Sequence, residues 1–179
     1  MESLKINFRI LELKDIPIVY KWLNTDFVKQ WYGKKNMTLD EVSEKYSQYI
    51  KKEKPTDAYI IQIDSNDIGY IQTYMIKDYP DYDKYVQANQ GSSGLDLYIG
   101  DPNYIHKGYG KYIIFRFLND IIFSNPKVND CILGPEQSNI PAIKTYSKVG
   151  FKWIKTIQIP SEEEPEYLMQ ITKEDFESS

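Results

Sequence analysis

The stretch GLDLYIGDPNYIHKGYGKY, residues 94 to 112, decides the fold because its periodicity changes along its length. Apolar and polar residues alternate over 94–99, which predicts a strand with two different faces. A glycine-punctuated turn over 106–110 follows, and the apolar segment 112–123 has the length and spacing of a helix. The order is therefore strand, glycine loop and helix.

A glycine loop before a helix can bind an anion. The first N–H groups of a helix have no intrahelical partner and carry the positive end of the helix dipole. Glycine lets the backbone approach a ligand closely, so a diphosphate can bind to these amides. A plain helix entry also uses glycine, and the loop alone leaves both interpretations open.

Length and composition indicate one folded domain over residues 1–179, with 41% hydrophobic and 27% charged residues. The N-terminal segment lacks the pattern of a secretory signal, and no apolar run reaches the ~18 residues of a membrane span, so we expect a cytoplasmic protein. Cys131 is the only cysteine, which excludes an internal disulfide and a multi-thiolate metal site. His106 is the only histidine, so a Ser-His-Asp triad could form only around its ring. We expect no metal.

The net charge of −4 argues against a nucleic-acid partner, since proteins that bind nucleic acid normally carry a basic face. A small cationic molecule suits the sign of the charge better. We expect a monomer or a homodimer with small-molecule partners.

Periodicity and capping signals along the rest of the chain predict an α+β, mixed-sheet domain of about seven strands and four or five helices. The remaining strands are predicted at residues 5–12, 58–63, 68–76, 130–133, 151–159 and 166–172. The remaining helices are predicted after Asp15 to about Trp22, around 27–32 up to Gly33, at 39–51 behind the capping box of Thr38 and Glu41, and at 141–148 behind Ser138 or Asn139. Residues 77–93 show no period and are predicted to form a loop, either solvated or a flap over a substrate.

The strand, the KGYG loop and the segment NIPAIKTYSKVGF at 139–151 together resemble the general N-acetyltransferase (GNAT) superfamily. Four further motifs are similar to those of the aminoglycoside 6'-N-acetyltransferases. They are KWL at 21–23, WYG at 31–33, IGYIQ at 68–72 and GLD at 94–96, and the resemblance covers residues 6 to 173.

The resemblance implies a mostly antiparallel mixed sheet that is splayed between the parallel strands 94–99 and 130–133, with acetyl-CoA as cosubstrate. It implies that the amides of residues 107–111 hold the diphosphate and that a backbone N–H near Ile99 binds the acetyl carbonyl. The positions implied in cofactor binding are Tyr98, Ile99, His106, Lys107, Gly108, Tyr109, Gly110, Lys111, Asn139, Ala142 and Tyr146.

The chain departs from the family pattern at three positions. Ile105 stands where the family loop usually begins with Gln or Arg, which removes one side-chain contact to phosphate. Gly134 stands where relatives usually carry Asp, and Pro141 where they carry Arg. A carboxylate that helps to hold the substrate amine is therefore expected to be absent.

Asp96 corresponds to the proposed catalytic base of the family. Acetyl transfer needs a free amine, because an ammonium has no lone pair. A carboxylate of pKa about 3.9 is a weak acceptor for an ammonium of pKa roughly 8, by ~5 kcal/mol. Asp96 must therefore have a raised pKa, act through water or anchor the cation, unless it is a structural strand aspartate.

Tyr146 corresponds to the family tyrosine that can protonate the leaving CoA thiolate. A phenol of pKa about 10 facing a thiolate near 8.5 makes full transfer cost about 2 kcal/mol. Hydrogen bonding in the transition state is the easier role, and a buried helix tyrosine is the structural alternative.

The candidate substrate-binding residues are aromatic, amide or acidic side chains. Polyamine sugars carry several positive charges, which suit charge-assisted hydrogen bonds to carboxylates. The candidates are Trp31, Tyr32, Gln72, Asp78, Asp81, Asp96, Glu163 and Glu164, with Asp83 and Glu162 in the same acidic segments. Core packing for the aromatics and solvation for the acids are the alternatives.

The resemblance implies an acetyl-CoA-dependent N-acetyltransferase acting on a primary amine, with the 6'-amine of an aminoglycoside as first choice, as in antibiotic resistance. Another amine or hydroxylamine, such as a siderophore precursor, a polyamine or a protein N-terminus, is the alternative substrate. A domain that senses acetyl-CoA without turnover is the alternative of another class.

Overall fold

The computed structural model describes residues 4–178, and within them the seven predicted strands form one mixed sheet. Their order across the sheet is β1-β2-β3-β4-β5-β7-β6. The bounds are β1 Ile6–Ile10, β2 Thr56–Ile63, β3 Asn66–Met75, β4 Ser92–Ile99, β5 Asp130–Leu133, β6 Lys152–Ile157 and β7 Glu166–Thr172. The predicted strands are confirmed. β1 and β6 are shorter than predicted, and β2, β3 and β4 each begin two residues earlier.

Strand direction follows the expected pattern of one parallel pair among antiparallel ones. β4 and β5 run parallel, with residue pairs from Ser92–Asp130 to Gly94–Ile132. β1 with β2, β5 with β7, and β6 with β7 run antiparallel. The parallel register ends at Gly94, although β4 continues to Ile99.

Seven α-helices occur within the described residues, whereas the sequence predicted four or five. They are α1 Ile16–Leu23, α2 Asp26–Lys29, α3 Leu39–Ile50, α4 Pro80–Val86, α5 Tyr109–Phe117, α6 Ile140–Val149 and α7 Lys173–Glu177. The helices that the sequence did not predict are α4 and α7, which are short. α5 continues into a π-helical turn at Leu118–Ile122.

The capping signals act at the predicted helix starts. The Thr38 hydroxyl accepts from the amide of Glu41 at 3.2 Å, and the Glu41 carboxylate accepts from the amide of Thr38 at 2.8 Å. Asn139, rather than Ser138, caps α6 by accepting from the amide of Ala142 at 3.2 Å. Side-chain caps of this kind stabilise a helix start by about 1 kcal/mol.

The prediction of a loop over residues 77–93 is wrong, because α4 forms there. Pro80 stands in the first turn, where its missing N–H costs nothing, and Val86 is buried in an apolar cluster with Ile132 and Leu168. The Asp83 carboxylate accepts from Lys77 Nζ and from the amide of Ala88. These hydrogen bonds stabilise the end of α4. The sequence did not reveal the helix because a segment of two turns is too short to show a helical period.

Helix α5 begins at Tyr109, three residues before its predicted start, so Gly110 lies inside the first turn. The chain divides into two compact units, residues 4–73 with 96–109 and residues 74–95 with 110–178. The first unit has a core with many aromatic residues, in which Trp22 is buried. Over residues 4–178, no helix is both long enough and apolar enough to cross a membrane.

Candidate active site

Asp96 lies on β4 and is half-buried, with its carboxylate held by a residue of the neighbouring strand β3. The Gln72 amide nitrogen donates to Asp96 Oδ2 at 2.8 Å. The Tyr70 hydroxyl donates to the amide oxygen of Gln72 at 2.6 Å. Gln72 is only 7% exposed and uses both ends of its side chain, so it orients the carboxylate.

The direction of this hydrogen-bond chain bears on the charge of Asp96. An N–H donor to a carboxylate favours its ionised form. Gln72 therefore favours a fixed negative charge at Asp96, which suits an anchor for a cation. A direct contact of Gln72 with a substrate stays a prediction.

Tyr98 points to the same face of β4 as Asp96, because it lies two residues further along the strand. Its ring is 7% exposed and stacks on Tyr70 with centroids 5.4 Å apart. Tyr32 meets the Tyr98 ring edge-on at 4.9 Å. Burial raises the pKa of Tyr98 and of Tyr70 well above the ordinary value near 10, so both stay neutral. The ring of Tyr98 is occupied by this packing, which leaves its backbone for the predicted role in cofactor binding.

Trp31 and Tyr32 follow α2 in a turn that ends at Gly33, which has a φ of +83°. Both side chains are half-buried. The contact of Tyr32 with Tyr98 brings it into the aromatic cluster beside Asp96. The choice between core and pocket is thus not exclusive for Tyr32, since one ring can pack on its neighbour and still border the site.

Lys45 on α3 contacts the aromatic cluster beside Asp96, which the sequence did not indicate. Its ammonium nitrogen lies 5.4 Å from the ring centre of Tyr46 and 5.9 Å from that of Tyr32. The pKa of Lys45 is lowered overall, because burial lowers it more than the Asp96 carboxylate raises it, and Lys54 lowers it further. A lysine in an amphipathic helix normally predicts a solvated face, and the one signal against that was its position beside Tyr46 in a helix with several tyrosines.

The glycine loop has the backbone form expected of an anion site. His106 and Gly108 have positive φ values of 58° and 78°, and α5 begins at the next residue. A Cβ on Gly108 would meet no atom within 4 Å. In the described part of the chain, no carbonyl or side chain outside α5 accepts from the amides of residues 107–111. These bare amides at a helix N-terminus, with Lys107 and Lys111 exposed beside them, suit a diphosphate.

The remaining predicted cofactor residues lie on or before α6. Asn139 Oδ1 is used by its cap to Ala142, which leaves the Nδ2 donor for a ligand. Tyr146 is half-buried, and its ring lies 6.1 Å from that of Phe151. Thr145 on the same helix lies close to Gly110, where a Cβ would come within 3.2 Å of its methyl group. The absence of a side chain at Gly110 therefore allows α5 to approach α6.

The predicted substrate acids lie on the surface of the second unit. Asp78 ends a 3-10 turn and is exposed, and Asp81 in α4 forms an exposed ion pair with Lys84 at 3.7 Å. Glu163 and Glu164 lie in the turn between β6 and β7, with Glu163 exposed and Glu164 half-buried. The structure leaves their contact with a substrate as a prediction.

The carboxylate of Glu166 lies beside Gly134, and whether it takes the place of the acid that relatives carry there stays a prediction. A Cβ on Gly134 would collide with the carboxylate of Glu166, which enters from β7. Glu166 accepts a hydrogen bond from the Tyr82 hydroxyl on α4 at 2.8 Å. The space of a side chain at 134 is therefore taken by an acid from the adjacent strand, which sequence spacing could not reveal. No cluster of metal-binding side chains occurs among residues 4–178.

Comparisons with known proteins agree with this arrangement. The acetyltransferase (GNAT) domain family matches residues 12–159 of the chain. Aminoglycoside N(6')-acetyltransferase type 1 of Klebsiella pneumoniae is 28% identical over 174 residues, which cover 96% of this chain and 85% of that protein.

Two solved structures of an aminoglycoside acetyltransferase are similar to this chain over nearly its whole length. The crystal structure of aminoglycoside acetyltransferase AAC(6')-Ib in complex with coenzyme A has a TM-score of 0.88 at 26% identity, with 98% of this chain and 99% of that chain covered. Its complex with coenzyme A and kanamycin has a TM-score of 0.87 at 26% identity and the same coverage. Since the family match spans most of the sequence, the chain belongs to the GNAT acetyltransferase family and is an N-acetyltransferase.

Proposed function

We propose that the protein transfers the acetyl group of acetyl-CoA to the 6'-amine of an aminoglycoside. The observation that carries the proposal is the carboxylate of Asp96, oriented by Gln72 beside a tyrosine cluster. A fixed anion with aromatic surroundings suits a substrate ammonium. The similarity to aminoglycoside acetyltransferases, one of them solved with kanamycin, supports this choice of substrate.

For acetyl-CoA, the bare amides of residues 107–111 are proposed to bind the diphosphate, with His106, Lys107 and Lys111 adjacent to it. The Nδ2 group of Asn139, at the start of α6 near Ala142, is proposed to donate to the pantetheine or phosphate arm. The backbone N–H of Ile99 or Tyr98 is proposed to bind the acetyl carbonyl. Helix N-termini and unpaired amides favour such acceptors.

The chemistry begins with the loss of a proton from the bound ammonium. Asp96 anchors the amine, because the N–H of Gln72 favours its ionised form. A carboxylate of ordinary pKa would also take up the proton of such an ammonium only at a cost of ~5 kcal/mol. The ammonium therefore releases its proton to water and becomes a free amine. Asp96 contributes by holding the nitrogen in position for attack.

The thioester of acetyl-CoA supplies the electrophilic carbonyl carbon. As the amine nitrogen forms the C–N bond, the C–S bond breaks, and the second nitrogen proton goes to the leaving sulfur. We propose that the Tyr146 hydroxyl donates a hydrogen bond to this sulfur. Donation without full transfer avoids the ~2 kcal/mol that a phenol would lose to a thiolate.

The other charges of an aminoglycoside need further acceptors. We propose that Asp78, Glu163 and Glu164 supply them, with Asp81 weaker because Lys84 already pairs with it. Trp31 and Tyr32 are proposed to border the sugar ring.

We further propose that residues 1–179 act as one catalytic domain in the cytoplasm, as a monomer or homodimer. Its proposed partners are small molecules rather than nucleic acid, and the net charge of −4 supports this choice of partner.

The test is a thiol-release assay with acetyl-CoA and a panel of amines. We expect turnover with kanamycin and tobramycin and little with spermidine or a hydroxylamine, and NMR of the product should locate the acetyl group on the 6'-nitrogen. Turnover with spermidine or the hydroxylamine alone would reject the aminoglycoside assignment. Binding of acetyl-CoA without thiol release for any amine would instead indicate a sensor.

A further inference from the structure

Lys45 places a second charge in the region of Asp96. It projects from α3, and its ammonium lies over the rings of Tyr46 and Tyr32 at 5.4 and 5.9 Å. Tyr32 contacts Tyr98, which shares a strand face with Asp96, and Tyr46 contacts Tyr70, which begins the hydrogen-bond chain to the same carboxylate. Lys45 and Asp96 therefore belong to one cluster within one compact unit.

Two rings and one carboxylate stabilise the ammonium of Lys45 against the cost of its burial. Two aromatic faces attract an ammonium electrostatically. The charged groups that act on Lys45 are Asp96 from β4, which stabilises the ammonium, and Lys54 after α3, which destabilises it. Burial lowers the pKa of Lys45, and the opposite charge of Asp96 works against this shift. Partial burial of the charged Lys45 side chain costs free energy. An uncharged side chain could fill the same space, so packing alone does not explain a lysine here.

A cation in this position affects any ammonium that Asp96 anchors. Asp96 alone would stabilise the substrate as an ammonium, which is the unreactive form. A like charge near an ammonium disfavours its protonated state. Each unit by which the amine pKa falls gives about ten times more free amine at a pH below that pKa.

We propose that Lys45 tunes the acceptor amine of this enzyme: its ammonium is a fixed positive charge that opposes Asp96 and favours the free base of the bound substrate over its ammonium. This inference rests on the proposed function, because it takes Asp96 as the anchor of the amine. Asp96 then provides position and Lys45 provides reactivity. The enzyme should prefer amines that lose a proton readily.

The experiment measures single-turnover acetylation of kanamycin between pH 6 and pH 9 by wild type, Lys45→Gln and Lys45→Arg. In wild type, the rate should rise with an apparent pKa about one unit below that of the free 6'-amine, which NMR titration of kanamycin supplies. Lys45→Gln should raise this apparent pKa by about one unit and lower the rate at pH 7 about tenfold. The Kd of kanamycin, measured by calorimetry with CoA present, should stay equal or fall in Lys45→Gln, because Asp96 then binds the ammonium without opposition.

Two variants separate charge from packing. Lys45→Arg keeps the positive charge and should keep the apparent pKa of wild type. Lys51→Gln removes a charge from the exposed end of α3 and should leave the pH profile unchanged. At pH 9 the rates of Lys45→Gln and wild type should converge, because both then hold the free amine.

Several results would overturn the inference. Equal losses in Lys45→Gln and Lys45→Arg with an unchanged apparent pKa would assign Lys45 to packing. A wild-type apparent pKa at or above that of the free amine would reject the inference without any variant, even if Lys45→Gln failed to fold. Acetylation of spermidine in place of kanamycin would reject the proposed substrate, and the same pH series with spermidine would still test Lys45. Absence of turnover with every amine would remove both proposals.

Discussion

Gln72 on β3 donates a hydrogen bond of 2.8 Å to the carboxylate of Asp96 on β4. Gln72 is almost fully buried, and its amide oxygen is already satisfied by the Tyr70 hydroxyl. A buried amide with both ends paired has one stable orientation. The half-buried acid of the site is therefore positioned by a residue that belongs to the core.

Replacing Gln72 with Met should damage activity and stability together. The change removes the donor to Asp96 and leaves the buried Tyr70 hydroxyl without this acceptor, so we expect the free energy of unfolding to fall by about 1–3 kcal/mol. We expect kcat/KM to fall about tenfold or more. Tyr70→Phe is the matched variant, because it removes the donor to Gln72 and keeps the bond to Asp96; its kcat/KM should fall less than that of Gln72→Met. Full activity in Gln72→Met would remove Gln72 from the positioning of the acid.

Asp96→Asn should abolish most turnover and leave cofactor binding intact. An amide cannot anchor an ammonium by charge, so we expect kcat/KM to fall on the order of a hundredfold. Calorimetry should give an unchanged Kd for CoA, since the proposed diphosphate contacts lie at residues 107–111. Asp57→Asn, an exposed aspartate of β2 paired with Lys52, is the control for an unspecific charge effect. A rate like that of wild type would exclude Asp96 from the reaction.

Gly108→Ala and Gly33→Ala form a pair with similar backbone strain. Both glycines have positive φ, at 78° and 83°, so alanine should reduce the free energy of unfolding by about 1 kcal/mol at either position. Gly108 precedes the first turn of α5, and a methyl group there enters the open space before the amides. We expect Gly108→Ala alone to weaken CoA binding, by about tenfold in Kd. Equal Kd values for the two variants would contradict the proposed diphosphate site.

Substitutions at Asn139 should separate its cap from its ligand contact. Asn139→Asp keeps the cap to Ala142, loses the Nδ2 donor and adds a negative charge. We expect near-native thermal stability with a clearly weaker Kd for CoA. Asn139→Ala loses the cap as well, at a cost of about 0.5–2 kcal/mol in unfolding free energy. If Asn139→Asp bound CoA like wild type, the residue would have a structural role alone.

The ion pairs of Arg9 predict an acid-sensitive contribution to stability. Burial alone would raise the pKa of Asp67, but hydrogen bonds from Arg9 and Gln62 lower it overall. A depressed folded-state pKa adds stability that is fully present above the unfolded value near 3.9 and is lost as the pH falls through the folded value. Asp67→Asn should therefore be less stable than wild type at pH 7, and urea titrations should show the difference shrinking below about pH 4. A constant difference across this range would contradict the assignment.

The sequence alone determined the seven strands, five of the helices and the location of the glycine loop. Alternation over 94–99, the capping box at Thr38 and the glycines of the loop are local signals, because strand period, helix caps and positive φ depend on neighbouring residues. Local signals failed at α4, a helix of two turns in which Pro80 and the buried Val86 decide the outcome. The resemblance identified Asp96 as a candidate catalytic residue, and the alternation over 94–99 placed it on a strand.

The surroundings of Asp96 required the tertiary structure. Gln72 and Lys45 reach the region of this carboxylate from a different strand and a helix, and Glu166 fills the space at Gly134 from a third element. No spacing along the chain encodes such meetings, because they depend on strand order and on which helix covers the sheet. The charge state and the burial of Asp96 and Lys45 depend on neighbouring side chains that are distant in sequence. The sequence shows which residue types are present, and the fold determines their burial, their hydrogen bonds and therefore their pKa values.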